Sequence, residues 1–380
     1  MLLFVLVAVF CSQATGRPLI DSTLNITEVQ WSPEKTGPVC APGVLPPPSG
    51  AVLSDADFEA PDVMEPLTTY PVTNVYRSDD EGVTWYKLGA SNNTHFATLW
   101  ERAGDDNVYL VGTGVGGVRV SRSGDGGRTW TSATVISGAF ASGATPVLTA
   151  NGRIYRAVEA TIGPKGWPSE FAATVASAPA NASDLLDASL WTLAKPALWN
   201  DSWVGPQWAA HNFTKPGYLE GNAVLGKDGN VYDMLRVNSL PWANVAVLMK
   251  LNGEGLTFER MMPFPGGMSK FTVHHDPVSD MYVSLSNNVT HWWCPSERNT
   301  LTLTVSPDLE TWEAVTVLLA DDTGFLVTDS SRYTGFHYVD WHFDGDDVIA
   351  AVRTAYRGAV SYHNSNRITF LRVVNFRQYL

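Results

Sequence analysis

The chain of 380 residues carries 25 Lys and Arg against 38 Asp and Glu, a net charge of −13, with 17% of its residues charged and 44% hydrophobic. That balance excludes a disordered chain. It also argues against nucleic acid or an anionic membrane surface as partner, although a few clustered arginines would still hold a small anion. Thirty-two glycines and 23 prolines favour many turns between short strands over long helices.

The sequence opens with "MLLFVLVAVFCSQATG". The apolar run from Leu2 to Phe10 is too short to span a bilayer. Ala14 and Gly16 are small residues placed for a cut after Gly16, so residues 1–16 read as a signal peptide and 17–380 as a single domain. No later segment is long enough to span a membrane. Sequons at Asn25, Asn92, Asn181, Asn200, Asn212 and Asn288 then fit a secreted, extracellular or lumenal glycoprotein. Cleavage removes Cys11 and leaves Cys40 and Cys294, an even pair in an oxidising compartment.

"NITEVQW", Asn25 to Trp31, reads as a strand that closes a sheet with the end of the chain. A repeat of about fifty residues follows. Its first copy runs from Val39 to Trp85, and later copies start at Asp105, Asn151, Asp228, Val278 and Gly345. In each, a Gly/Asp/Asn turn leads into an apolar strand and another strand, followed in most copies by a Trp-bearing turn. Innermost strands are expected near Val108, Ile154, Val231, Met281 and Val348. A short antiparallel sheet cannot bury both faces alone, and radial stacking does it with few exposed edges. The expectation is an all-β, six-bladed β-propeller of four-stranded antiparallel blades.

The Trp turns follow one spacing. Ser78 to Trp85 and Ser123 to Trp130 both read Ser-x-Asp-x-Gly-x-Thr-Trp; Ser306 to Trp312 is a shortened form and Ser183 to Trp191 a looser one. The Asp accepts backbone N–H groups across a tight turn, the Gly supplies positive φ, and the Trp buries its ring between strands. These turns are read as structural staples without chemistry. His274, His275 and Asp276 before "PVSD" read as a surface hairpin rather than a metal site. With no zinc, EF-hand, P-loop or dinucleotide motif, neither metal nor cofactor is expected.

On this repeat, the Asp turns resemble those of the sialidase superfamily, over most of the chain. Three other stretches sharpen the resemblance. "LEGNAVLGKDGNVYDMLR" sets Glu220 on an inner strand and Arg236 on its neighbour; "CPSERN" sets Arg298 before an outer strand; "FHYVDW" sets Tyr338 at the start of the last inner strand. The resemblance implies Tyr338 as nucleophile, Glu220 as its base, and Arg236 with Arg298 as a carboxylate clamp. A carboxylate nucleophile would be repelled by an acidic sugar, which is why this class uses a Tyr; guanidinium forks suit a carboxylate. It further implies an acid/base Asp, for which Asp57 in "SDADFE" is the candidate and Asp55 a near equal. Glu159 and Arg353, on repeated strands, are further candidates to line the cleft. Cys40 in "CAP" stands where the family keeps its first clamp Arg. Because the family brings that position close to the loop of Arg298, the resemblance also implies a Cys40–Cys294 disulfide at the cleft mouth. The function so implied is a secreted exo-glycosidase that takes a terminal acidic sugar, sialic acid or similar, from a glycan or glycoconjugate. Other readings are a uronic-acid-directed enzyme, a non-catalytic glycan-binding propeller marked by the lost Arg, and a purely structural role. Oligomeric state is not legible.

Overall fold

The computed structural model describes residues 4–7, 24–31, 72–140, 143–163, 166–209, 213–359 and 361–380. Five four-stranded antiparallel sheets follow one another along the chain. The first holds β5 (His95–Glu101), β6 (Val108–Gly114), β7 (Gly117–Ser123) and β8 (Thr134–Ser137). The second holds β9 (Val147–Ala150), β10 (Arg153–Thr161), β11 (Phe171–Pro179) and β12 (Thr192–Leu193), and the third β13 (Tyr218–Leu225), β14 (Val231–Val237), β15 (Val245–Asn252) and β16 (Gly255–Pro263). The fourth holds β17 (Thr272–Asp276), β18 (Met281–Ser286), β19 (Thr300–Ser306) and β20 (Glu313–Ala320). The fifth is β21 (Gly335–Asp344), β22 (Asp347–Ala355) and β23 (Arg367–Val373), with β2 (Leu24–Trp31) as its outer strand, antiparallel to β23. That last pairing is the closure expected of "NITEVQW". A short helix, α1 (Val327–Tyr333), sits in the connection to the fifth sheet.

Packing turns these sheets into a propeller. Val111, Val118 and Val120 share a core with Ile154, Val158 and Ala176 of the next sheet. Tyr155 and Val175 pack with Leu235 and Val247, Met234 and Leu248 with Val273 and Tyr282, and Leu303 and Val305 with Trp341 and Leu371. Each core lies between two consecutive sheets, so central strands such as β6 and β11 are buried along nearly their whole length, whereas β20 at an outer edge is mostly wet.

Two expectations change. Among the described residues there are five four-stranded blades rather than six. The remaining sheet is the hairpin of β3 (Val72–Ser78) and β4 (Tyr86–Asn92) with β1 (Phe4–Val7) along β3, the strand β1 coming from the segment read as a leader. The part of the first repeat before β3 lies outside the described residues. Val108, Ile154, Val231, Met281 and Val348 also do not lie on innermost strands but on the second strand of each blade. Their near-continuous apolar runs mark strands covered on both faces by neighbouring blades, and the axis is lined by the strands before them.

Three Trp turns close as expected. Thr84 N–H and Oγ1–H both donate to Asp80, and Thr129 N–H and Oγ1–H both donate to Asp125. The indole of Trp85 donates to the carbonyl of Gly82, and that of Trp130 to Gly127. Both glycines have positive φ, 90° and 96°; in the shortened turn Leu309 takes the place at 66° and receives the Trp312 indole. Around Asp184 the chain takes a different turn, with Trp191 bonded to Leu185. His275 and Asp276 belong to the hairpin expected there: His275 pairs with Asp280, and Asp276 accepts from Ser279 and Arg377. The described residues contain no cluster of metal-ligating side chains.

Candidate active site

Each of the strands β5, β13 and β21 carries a bulge near its start, and in each bulge one non-glycine residue has positive φ: Phe96 at 49°, Glu220 at 51° and Tyr338 at 52°. The left-handed backbone costs on the order of 1 kcal/mol or more per residue. Glu220 and Tyr338, strained in the same way on two blades, come together with Arg236 at the end of β14. Arg236 Nη1 donates to Glu220 Oε2 at 2.8 Å and to the Tyr338 hydroxyl at 3.4 Å. All three are buried, Tyr338 being 7% exposed.

Small residues make room for this. A Cβ on Gly221 would stand 2.2 Å from Asp233 Oδ1, and one on Gly143 would stand 2.8 Å from Glu220 Cγ. Glu159 on β10 accepts the backbone N–H of Glu220 at 2.6 Å, which fixes the strained residue from below. Glu159 thus contacts the backbone of the site through Glu220.

Two further guanidiniums flank the tyrosine. Arg298, just before β19, and Arg353, on β22, each lie 5.2 Å from the Tyr338 ring centre. Arg298 also stands 5.5 Å from the Tyr362 ring. Arg353 donates to Ser365 Oγ at 3.1 Å and to the His363 carbonyl at 3.0 Å. It is the blade equivalent of Arg236: His337 pairs with Arg353 across β21 and β22 as Leu219 pairs with Arg236 across β13 and β14. Arg236 Nε and Arg298 Nε are buried donors with no hydrogen-bond partner among the described residues. A buried donor left unpaired is costly, and here it points to a missing acceptor.

The electrostatics favour an anion. Burial, then Arg298 and Arg353, hold the His337 imidazole well below its ordinary range; burial, then Arg353 and Arg298, do the same to His363. Both rings are therefore neutral. Burial works against the charge on Arg236, yet Glu220 and Tyr338 push its pKa above the ordinary value. Nearby, burial lowers Arg156 to about 10 and Lys270 to about 8, while burial and then Glu159 push the Asp233 carboxyl well above its ordinary range.

Of the residues expected from sequence, Tyr338, Glu220, Arg236, Arg298 and Arg353 converge. Asp57 and Cys40 lie outside the described residues. Cys294 is fully buried and disulfide-bonded. Sequence reasoning passed over His337, although it precedes Tyr338 directly, and over Trp167, whose ring lies 5.9 Å from the Arg236 guanidinium. Nothing in the pattern around Trp167 marks it, because a β10–β11 loop brings it in.

No protein-family model and no curated protein matches the sequence. Among solved structures, the chain is similar to a protein of unknown function from Dyadobacter fermentans, with a TM-score of 0.56 at 14% identity over 93% of this chain and 100% of that one. It is also similar to a Hadza microbial sialidase, with a TM-score of 0.51 at 13% identity over 82% of this chain and 60% of that one. At these identities the likeness speaks for the propeller fold.

Proposed function

We propose that the protein is a sialidase-type exo-glycosidase that removes a terminal acidic sugar from glycans. The observation that carries the reading is the set of three guanidiniums held around one strained tyrosine, two of them with an unbonded buried Nε, and with a carboxylate sharing the Arg236 N–H that reaches the phenol. Arg236, Arg298 and Arg353 take the sugar carboxylate. Arg353, from the last blade, supplies the third arm that Cys40 does not.

The chemistry follows from these positions. The Tyr338 oxygen attacks the anomeric carbon while its proton passes to Glu220, and the bond to the leaving oxygen breaks as Asp57 protonates it. Water then attacks the same carbon and gives its proton to Asp57. The phenol oxygen leaves and recovers its proton from Glu220. Strain at Glu220 and Tyr338 fits a site whose geometry is imposed by the ring.

The same reading includes secretion after removal of residues 1–16, N-glycosylation at the sequons, and pairing of Cys294 with Cys40. It also includes a sixth blade built on the β3–β4 hairpin. Two contacts support that reading: Val75 packs on Ala97 and Leu110 of one blade, and Trp85 lies 5.5 Å from Phe370 of another. The test is release of free sugar from a panel of α-sialosides and uronides. Release from sialosides supports the reading, release from uronides alone moves the substrate to uronic acids, and tight binding without release leaves a glycan-binding propeller.

A further inference from the structure

We propose that His337 is a positioning residue that keeps Arg298 the strongest anion-holding arm of the cleft; this rests on the carboxylate-clamp reading above. The two arginines that carry unbonded Nε atoms are not equivalent. Arg236 is paired at 2.8 Å with the Glu220 carboxylate, and both side chains are almost wholly buried. Its charge is therefore largely cancelled before any ligand arrives. Arg298 has no carboxylate partner among the described residues. Its Nη1 instead meets His337 Nδ1 at 3.2 Å.

A guanidinium only donates hydrogen bonds, so the nitrogen facing it must present a lone pair. The His337 ring is thus neutral, with its proton on Nε2. Burial first keeps it so, and then the groups that face it: Arg298 ahead of β19, Arg353 on β22, and His363, whose ring is stacked on it at 5.9 Å and 20°, with the Tyr362 backbone alone acting the other way. Tyr338 follows it on the same strand with its ring 5.1 Å away. The imidazole fixes the direction of Arg298 without subtracting from its charge, and the rings of Tyr338 and Tyr362 hold the guanidinium by cation–π contact, again without neutralising it. Arg298 is 2% exposed, and a buried charge without a counter-charge is costly. A carboxylate ligand supplies the missing charge.

His337→Asn and His337→Asp test this. Both place an acceptor oxygen near the position of Nδ1 and have nearly the same volume, and they differ chiefly in charge, the Asn amide carrying an NH2 where Asp carries its second oxygen. The probes are a methyl α-sialoside, its methyl ester, and inorganic sulfate, titrated calorimetrically alongside a melting curve. Wild type is expected to prefer the acid over its ester, and His337→Asn to keep that preference. His337→Asp is expected to lose it by about tenfold or more, while melting no lower than His337→Asn, because it gains an ion pair with Arg298. Equal acid-to-ester ratios in the two variants overturn the proposal, since they would mean that the net charge left on Arg298 by its neighbour at 337 does not govern the hold on the anion. If wild type binds neither sialoside but does bind sulfate, the sugar reading fails, and the same comparison of variants with sulfate still decides the role of His337.

Discussion

The propeller treats charge in opposite ways at its two ends. Strand β19 starts beside Arg298 at one end and finishes at Ser306 at the other, where the Asp308 turn begins; the Asp80 and Asp125 turns likewise follow third or equivalent strands. There the aspartates of the Trp turns are satisfied locally. Asp125 accepts from Ser123, Arg128 and Thr129, all within four residues. At the other end Glu220, Arg236, Arg298, Tyr338 and Arg353 meet from distant parts of the chain, and two guanidinium nitrogens remain unbonded. A closed local ledger of hydrogen bonds makes a turn. Unspent donors, neutral histidines and strained backbone make a place for a ligand.

The largest effect expected from breaking this contrast is on turnover. Tyr338→Phe and Glu220→Gln should each lower kcat by on the order of a thousandfold or more on whichever sugar is released; Tyr338→Phe should leave the melting temperature little changed, whereas Glu220→Gln should lower it, because it leaves the buried Arg236 guanidinium without its counter-charge. Wild-type turnover in Tyr338→Phe would make the tyrosine a packing residue and refute the mechanism. Next come the arms. Arg298→Ala should weaken binding of an acidic sugar by about 10- to 100-fold, and Arg236→Ala should also disturb kcat, because it frees the buried Glu220 carboxylate. A KM effect of Arg298→Ala no larger than that of a substitution at the far end of the blade, such as Lys227→Ala in the β13–β14 turn, would remove Arg298 from the clamp.

At the other end the prediction inverts. Asp125→Asn should lower the melting temperature by roughly 2 °C or more and leave ligand affinity unchanged. A lost affinity with an intact melting curve would mean that the turn reaches the site after all.

How much of this was legible follows the same contrast. The Trp turns could be read residue by residue, because Ser, Asp, Gly, Thr and Trp each act on neighbours a few positions away. Glu220, Arg236, Arg298 and Tyr338 were legible only through resemblance, since no local rule says that residues a hundred positions apart meet on an axis. The pattern marks Arg353 only as a residue on a repeated strand: its equivalence to Arg236 appears only once the bulges at Glu220 and Tyr338 set the register. The phase of the blades was misplaced by one strand, because apolar runs such as "VYLVG" announce burial on both faces, which is a property of central strands. His337 gave no signal, since a histidine beside a tyrosine is unremarkable until a guanidinium is seen to need its lone pair.

The smallest predicted effect separates the two ends by pH. His274, His337 and His363 are neutral in the fold, with His274 lowered to about 3 by burial and then by His342. The unfolded chain takes up protons on these residues near pH 6.5. Below that value the unfolded state binds more protons than the native one, so stability falls as pH drops through about 6.5 and keeps falling. The Asp turns act lower. Asp80 is held at about 2, chiefly by the Thr84 hydroxyl, and Asp125 is likewise depressed, chiefly by Thr129. A depressed carboxylate contributes stability that is full above about pH 4 and is lost as pH falls through the folded value. Urea unfolding from pH 8 to pH 2 should therefore show two regions of decline. His337→Asn should flatten the upper one and leave the lower, and Asp125→Asn should do the reverse. If either variant alters both regions equally, the two ends are coupled more tightly than their separate hydrogen-bond networks allow.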